Sequence, residues 1–282
     1  MADSPFFRHI HRVPTGASAH VAREAWTVEA ERCRMAVESA LPDASVELYF
    51  NLGPRGRHVF GSTLPSLLPR RAAWVLGARD SPLLIEKEVR DCNIVGIRLH
   101  PWMAECVLGV PASELRGSMV DLDTLWGTDV DAIRNALHEM PDPAARIALV
   151  ERAVATRARS RMTGEARVAA HLCQAAERDV HGTVAALAAA HGLTHRRVIE
   201  IFDRTVGLKP KSYARVRRLR RVLRLAHDAP RPTWTAIAHR CGYFDQSHLI
   251  NDFRLLTGIS PRDYVATRSS VGHGFVPHVL AQ

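Results

Sequence analysis

The sequence has no run of about 18 apolar residues, the length a helix needs to cross a bilayer. Its opening, MADSPFFRHIH from Met1 to His11, holds no apolar stretch of signal-peptide length. Both absences lead to the expectation of a cytoplasmic protein without a membrane partner. The five cysteines, Cys33, Cys92, Cys106, Cys173 and Cys241, are an odd number with no CxxC pair. That pattern fits reduced, mostly buried thiols better than a disulfide frame or a zinc site. The HxH motif with downstream Glu and His that a metal-binding barrel requires is also missing. His9, His11, His58, and His100 near Glu105 are scattered, so they read as satisfied or surface histidines, and neither a metal nor another cofactor is expected.

What is present begins with charge. The chain has 282 residues, 46% hydrophobic and 24% charged, enough for two domains of ordinary size. The formal net charge is +9, but from Arg167 onward 18 basic residues face 8 acidic ones, so the surplus lies entirely in the C-terminal part. A polyanion partner for that part follows from the asymmetry.

Short β-rich runs mark the N-terminal region: Val46 to Leu52, Ala72 to Leu76, Leu83 to Ile85 and Asn93 to Leu99, with the clearest turn at Gly53-Pro54-Arg55-Gly56. They predict an antiparallel sheet closing into a barrel or sandwich. After Pro101 the spacing becomes helical, as in Ile133, Leu137 and Met140, then Ile147, Val150 and Val154. The fold class expected is α+β: residues 1–157 as a sensing or dimerising domain, 158–167 as linker, 168–268 as an all-α domain and 269–282 as tail.

The all-α domain contains a duplication. Phe202-x4-Gly207-x2-Pro210-x2-Tyr213 recurs 51 residues later as Phe253-x4-Gly258-x2-Pro261-x2-Tyr264. Upstream, Leu187-Ala188-x3-Gly192-Leu193 corresponds to Ile237-Ala238-x3-Gly242-Tyr243, with one extra residue in the second copy before the next helix. Each copy reads helix, glycine turn, helix, with the glycine in the left-handed conformation. Thr194 and Asp245 are the expected caps of the second helices.

With the apolar stripe of each second helix turned inward, His195, Arg196, Ile199 and Glu200 are left outward in the first copy, and Gln246, Ser247, His248 and Asn251 in the second. Arg pairs with guanine, Gln and Asn with adenine, and Ile meets a thymine methyl, so these faces suit base reading. Phosphate contacts are expected from Thr194, Arg197, Lys209, Lys211, Arg215, Arg218 and Arg254. Ser212 to His227 predicts one long helix separating the two heads.

Residues His171 to Arg268 resemble the DNA-binding domain of the AraC/XylS family, most closely in IAHRCGYFDQSHLINDFRLLTGISPRDY, Ile237 to Tyr264. Tyr243 stands where that family has Phe, Phe244 where a small polar residue is common, and Asn251-Asp252 where a basic residue is frequent. Pro42 to Leu125 more loosely resembles a cupin-like effector domain. The resemblance implies a sequence-specific regulator binding double-stranded DNA and responding to a small-molecule effector, with a homodimer and RNA polymerase as further partners. Glu47, Tyr49, Arg98 and His100 are the candidate pocket for a small polar molecule, on strand faces turned to a barrel interior. Two alternatives stay open. One is a nonspecific architectural DNA binder; the other is a DNA-repair alkyltransferase, which would need an activated cysteine that no local motif supplies.

Overall fold

Alternation of large apolar with small or polar side chains builds the N-terminal half as strands. The computed structural model describes residues 7–30, 36–53, 58–60, 72–87, 92–178, 183–229, 231–267 and 275–278. Within them the strands are β1 Phe7–Arg12, β2 Ala22–Ala30, β3 Ala36–Ala40, β4 Glu47–Asn51, β5 His58–Phe60, β6 Ala73–Leu76, β7 Leu83–Lys87, β8 Cys92–Leu99, β9 Met119–Asp121 and β10 Phe275–His278. They pair antiparallel as a six-stranded sheet, β1-β2-β8-β4-β6-β9, and a four-stranded sheet, β10-β3-β7-β5. Residues 54–56 of the expected turn, together with Cys33, lie outside the described residues, as do the side chains of Cys92 and His58.

The six-stranded sheet is apolar on both faces. Leu48, Phe50, Val75, Val95 and Ile97 enter a core shared with helices, whereas Tyr49, Trp74, Leu76 and Ile94 form a smaller cluster with Ala40 and Leu83 between the sheets. Gly96 makes that second layer possible, because a Cβ there would stand 2.3 Å from the Trp26 ring. Behind the sheet lie α1 Ala104–Leu108, α2 Asp123–Trp126, α3 Asp129–Glu139 and α4 Pro143–Ser160. Asp142 starts α4 by accepting from the amides of Ala144 and Ala145, both at 3.1 Å. Arg146 then fastens it to the sheet through Glu29 at 2.8 Å, and to the end of α3 through the Met140 carbonyl at 2.7 Å.

The remaining helices are α5 Gly164–Arg178, α6 Val184–Ala190, α7 His195–Val206, α8 Pro210–Asp228, α9 Trp234–Arg240, α10 Gln246–Thr257 and α11 Pro261–Thr267. The architecture is α+β, an antiparallel N-terminal part with packed helices followed by a helical C-terminal part. Two expectations about boundaries change. Residues 158–167, expected as a linker, hold the end of α4 and the start of α5, with only Arg161–Thr163 outside helix. Residues 269–282, expected as a tail, contribute β10, which pairs with β3 so that Phe275 lies opposite Ala40.

Burial explains why no linker is needed. One continuous core runs from the sheet through α4 and α5 into α6, α7 and the first half of α8, ending at Val216. A second core takes over at Leu219 and comprises the second half of α8 with α9, α10 and α11. Leu41, from the loop after β3, is the N-terminal residue within that second core.

Candidate nucleic-acid interface

Each copy of the sequence repeat folds as two short helices joined by a tight glycine turn. In the first, α6 ends two residues before Gly192, whose φ of 63° is left-handed, and in the second, α9 ends two residues before Gly242 at 75°. Thr194 Oγ1 then accepts from the Arg197 amide at 3.1 Å to start α7, and Asp245 Oδ1 accepts from the His248 amide at 2.7 Å to start α10. The inward stripes, Val198, Ile201 and Phe202 in α7 and Leu249, Phe253 and Leu256 in α10, are buried. Phe202 meets Tyr213 edge-on at 5.3 Å, as Phe253 meets Tyr264 at 5.8 Å. Nineteen residues of α8 hold the units apart, a length of roughly 28 Å at the α-helical rise.

All eight expected base-reading residues lie on the outward side of these two helices. His195, Arg196, Glu200, Gln246, Ser247, His248 and Asn251 are exposed, and Ile199 is half-buried. Three of them, Arg196, Glu200 and Gln246, make side-chain hydrogen bonds within the protein. Arg196 Nε donates to Glu200 Oε1 at 2.9 Å, which holds the Glu200 carboxyl below its usual range. The Thr235 hydroxyl donates to Gln246 Oε1 at 2.8 Å, fixing the carboxamide while leaving its N–H groups outward.

The expected phosphate contacts divide. Lys209, Lys211 and Arg254 are exposed on the surface of the helical part. Thr194 uses its hydroxyl oxygen as the α7 cap, and Arg197 is ion-paired with Glu165. Arg215 is turned inward on the buried carboxylate of Asp252, and Arg218 lies 5.0 Å from the Tyr243 ring centroid with a 3.4 Å bond to the Gly242 carbonyl. For these two, internal pairing replaces the free solvated face that helix periodicity implied. Tyr243 completes the cluster by donating to Asp252 Oδ2 at 2.9 Å.

Of the candidate ligand pocket, three members meet between the sheets. Arg98 Nε donates to Glu47 Oε1 at 3.0 Å, Tyr49 donates to Glu47 Oε2, and Arg98 also pairs with Glu24. Their polar atoms therefore satisfy one another in a closed network. Burial, then the charge and hydrogen bond of Glu47, push the Tyr49 hydroxyl well above its ordinary pKa. His100 is not among them. Its Nε2 lies 2.9 Å from the Ala19 carbonyl and its ring stacks on Trp102 at 4.7 Å, because β8 ends at Leu99 and the face alternation ends with it.

Asp43 extends this network to the helical part. Its Oδ2 is 3.6 Å from Arg98 Nε and 3.2 Å from Nε of Arg220 on α8. Burial alone would raise the Asp43 pKa, but Arg98, then Arg220, Arg217 and Arg79, hold it well below the usual carboxylate range. A second bridge runs through Glu177, whose Oε1 is 2.9 Å from both Arg23 Nη2 on β2 and Arg217 Nε on α8. Sequence spacing could not reveal either bridge, since Asp43 and Arg220 are far apart in the chain and neither lies in a motif.

The N-terminal part also holds α7 itself. Arg116 donates to the Gly207 carbonyl and to Asp203, while Arg204 reaches Glu105 at 2.7 Å. Gly207, at φ 81°, sits so close that a Cβ would stand 2.7 Å from the Ala112 carbonyl oxygen. Among the described residues, no three His, Cys, Asp or Glu side chains gather as a metal site, and no helix is long and apolar enough to cross a membrane. Cys106, Cys173 and Cys241 are buried free thiols. Burial raises the pKa of all three, and that of Cys173 is pushed up to about 12. None of the three is the low-pKa thiolate that alkyl transfer needs.

Two capped helix-turn-helix units on one connecting helix define the class, a DNA-binding module. Residues 187–267 match the family model described as a helix-turn-helix domain, and residues 13–121 match one described as a domain of unknown function (DUF6597). No curated protein matches the chain. Among solved structures the chain is similar to ToxT from Vibrio cholerae, at 9% identity and a TM-score of 0.48 over 94% of this chain and 98% of that one. It is also similar to the C-terminal domain of AraT, a response regulator from Geobacillus stearothermophilus, at 20% identity and a TM-score of 0.35 over 40% of this chain and 93% of that one. The C-terminal part, over residues 187–267, is an AraC-type helix-turn-helix domain, a kind of domain that binds DNA.

Proposed function

We propose that the protein binds a specific operator, with α7 and α10 reading successive major-groove segments of double-stranded DNA and the N-terminal part modulating that binding. The observation that carries this reading is the exposure of polar side chains along both capped helices while their opposite faces are buried. Arg196 and the α10 set of Gln246, Ser247, His248 and Asn251 supply the base contacts, and Lys209, Lys211 and Arg254 supply the phosphate contacts. Of the inward-turned arginines, Arg215 and Arg218 shape the second head. Modulation passes through Arg116, Arg204 and Asp43, which join the N-terminal part to α7 and α8. An effector, a second copy of the chain or RNA polymerase would act through those joints, in the cytoplasm where the DNA is.

The test is selection of bound sequences from a random DNA pool by the full-length protein at two salt concentrations. The result expected is a motif of two blocks about ten base pairs apart, with Arg196→Ala and Gln246→Ala each weakening binding roughly tenfold or more and relaxing preference in one block. Salt-sensitive binding without a motif would instead make the protein an architectural binder.

A further inference from the structure

The two helix-turn-helix units differ by one inserted residue. One residue, Leu193, separates Gly192 from the cap Thr194, whereas two, Tyr243 and Phe244, separate Gly242 from the cap Asp245. Leu193 corresponds to Tyr243, which is buried, so the residue added is Phe244. Phe244 is 86% exposed, more than Val13, Met162 or Leu255, the other exposed large hydrophobics among the described residues. A lone exposed apolar side chain ordinarily needs no explanation. This one is held in place from both sides.

Before it, Gly242 takes its left-handed turn and Tyr243 is anchored by Asp252 and Arg218. After it, the Asp245 side chain is committed to the His248 amide. The backbone carrying Phe244 is thereby fixed at the start of α10, next to the exposed Gln246, Ser247 and His248. A phenylalanine brings a large rigid surface with only two side-chain torsions to freeze, so ordering it in a contact costs little. The major groove offers one sizeable apolar group to such a ring, the C5-methyl of thymine.

We propose that Phe244 is a specificity residue of the second head, packing its ring on the methyl group of a thymine at the edge of the DNA block read by α10. The inference rests on the operator-binding reading above and adds to it an aromatic contact that the first head, whose outward apolar side chain is the half-buried Ile199, lacks. The one extra residue moves the cap back by one position, and with Phe at that position an aromatic projects where the first unit has none.

The experiment uses the full-length protein and the operator selected from the pool. Each thymine of the second block is replaced in turn by deoxyuridine, which removes only the methyl, and binding is measured for the unaltered protein, Phe244→Ala and Gln246→Ala. The expected result is one thymine whose replacement weakens the unaltered protein about three- to fivefold, the scale of one buried methyl. Phe244→Ala should bind the normal operator with that same deficit and be indifferent to the replacement. Thermal unfolding of Phe244→Ala should match the unaltered protein, since the ring packs on nothing inside it. Equal penalties in both proteins would overturn the proposal while the Gln246→Ala defect left operator reading standing, as would a Phe244→Ala loss that is the same on every sequence, which points to a sugar contact. Selection that yields no motif at all would remove both readings together.

Discussion

The two helix-turn-helix units share a sequence pattern but are built into the molecule in opposite ways. The first has no core of its own, because Val198, Ile201 and Phe202 belong to the continuous core that begins in the N-terminal sheet. The second closes around Leu249, Phe253, Leu256 and Tyr264, with Leu41 as its N-terminal neighbour. The contrast is sharpest at equivalent glycines. Gly207 and Gly258 both end a second helix in the left-handed conformation, yet a Cβ at Gly258 meets nothing within 4 Å, while one at Gly207 meets the Ala112 backbone. A repeat therefore preserves what a helix-turn-helix needs for itself and says nothing of what it docks against. The first head is positioned by the rest of the protein, and the second is held to it through α8 and a few charged contacts.

The largest test of this comparison is truncation of the two central aromatics. Phe202→Ala and Phe253→Ala should each cost about 3–5 kcal/mol. Phe202→Ala should lower the unfolding of the N-terminal sheet together with the first unit. In Phe253→Ala, hydrogen exchange should show lost protection mainly from Trp234 to Thr267. Equal loss across the whole chain in both variants would mean that the cores are not separate.

Next in size is the joint at Asp43. Asp43→Asn removes the carboxylate beside the buried Arg220 and leaves Arg98 with Glu47 and Glu24 alone, and should cost about 3 kcal/mol by denaturant titration near neutral pH. Because the folded-state pKa lies below the ordinary 3.8, this stabilisation is fully present above that value and is lost as pH falls through and below it. The difference between Asp43→Asn and the unaltered protein should therefore shrink on acidification below about pH 4, and a difference independent of pH would contradict the charge-based account. Smallest is the glycine pair. Gly258→Ala should cost about 1 kcal/mol from its backbone conformation alone, and Gly207→Ala should cost about 2–3 kcal/mol because the neighbouring backbone must also move. Equal costs would detach the first unit from the N-terminal part.

Much of the helical part was legible in the residue order because its determinants are local. Left-handed glycines, the caps Thr194 and Asp245, and the apolar stripe of each second helix act within a few residues of themselves, and each is found where the pattern put it. Among the strands, β4, β6, β7 and β8 were visible as apolar runs. By contrast β2 was missed, since its sequence AREAWTVEA mixes charged residues with the buried Ala25 and Thr27, and only pairing with β1 and β8 makes it a central strand. The outward placement of His195, Arg196, Glu200, Gln246, Ser247, His248 and Asn251 was legible from periodicity, whereas the inward turn of Arg215 and Arg218 was not. An arginine on a basic helix looks like a phosphate contact until an acid from another helix is seen beside it.

Residue order by itself determined the two capped helix-turn-helix units, the helix between them and the concentration of positive charge around them, because turns, caps and amphipathic faces depend on neighbours three or four positions away. Only the tertiary structure decided that the first head shares the N-terminal core, that Asp43 clasps Arg220, that Glu47, Tyr49 and Arg98 satisfy one another, and that His100 stands apart from them. Those outcomes depend on which distant groups are desolvated together. Burial makes an ion pair or a close backbone approach consequential, and no spacing along the chain encodes it.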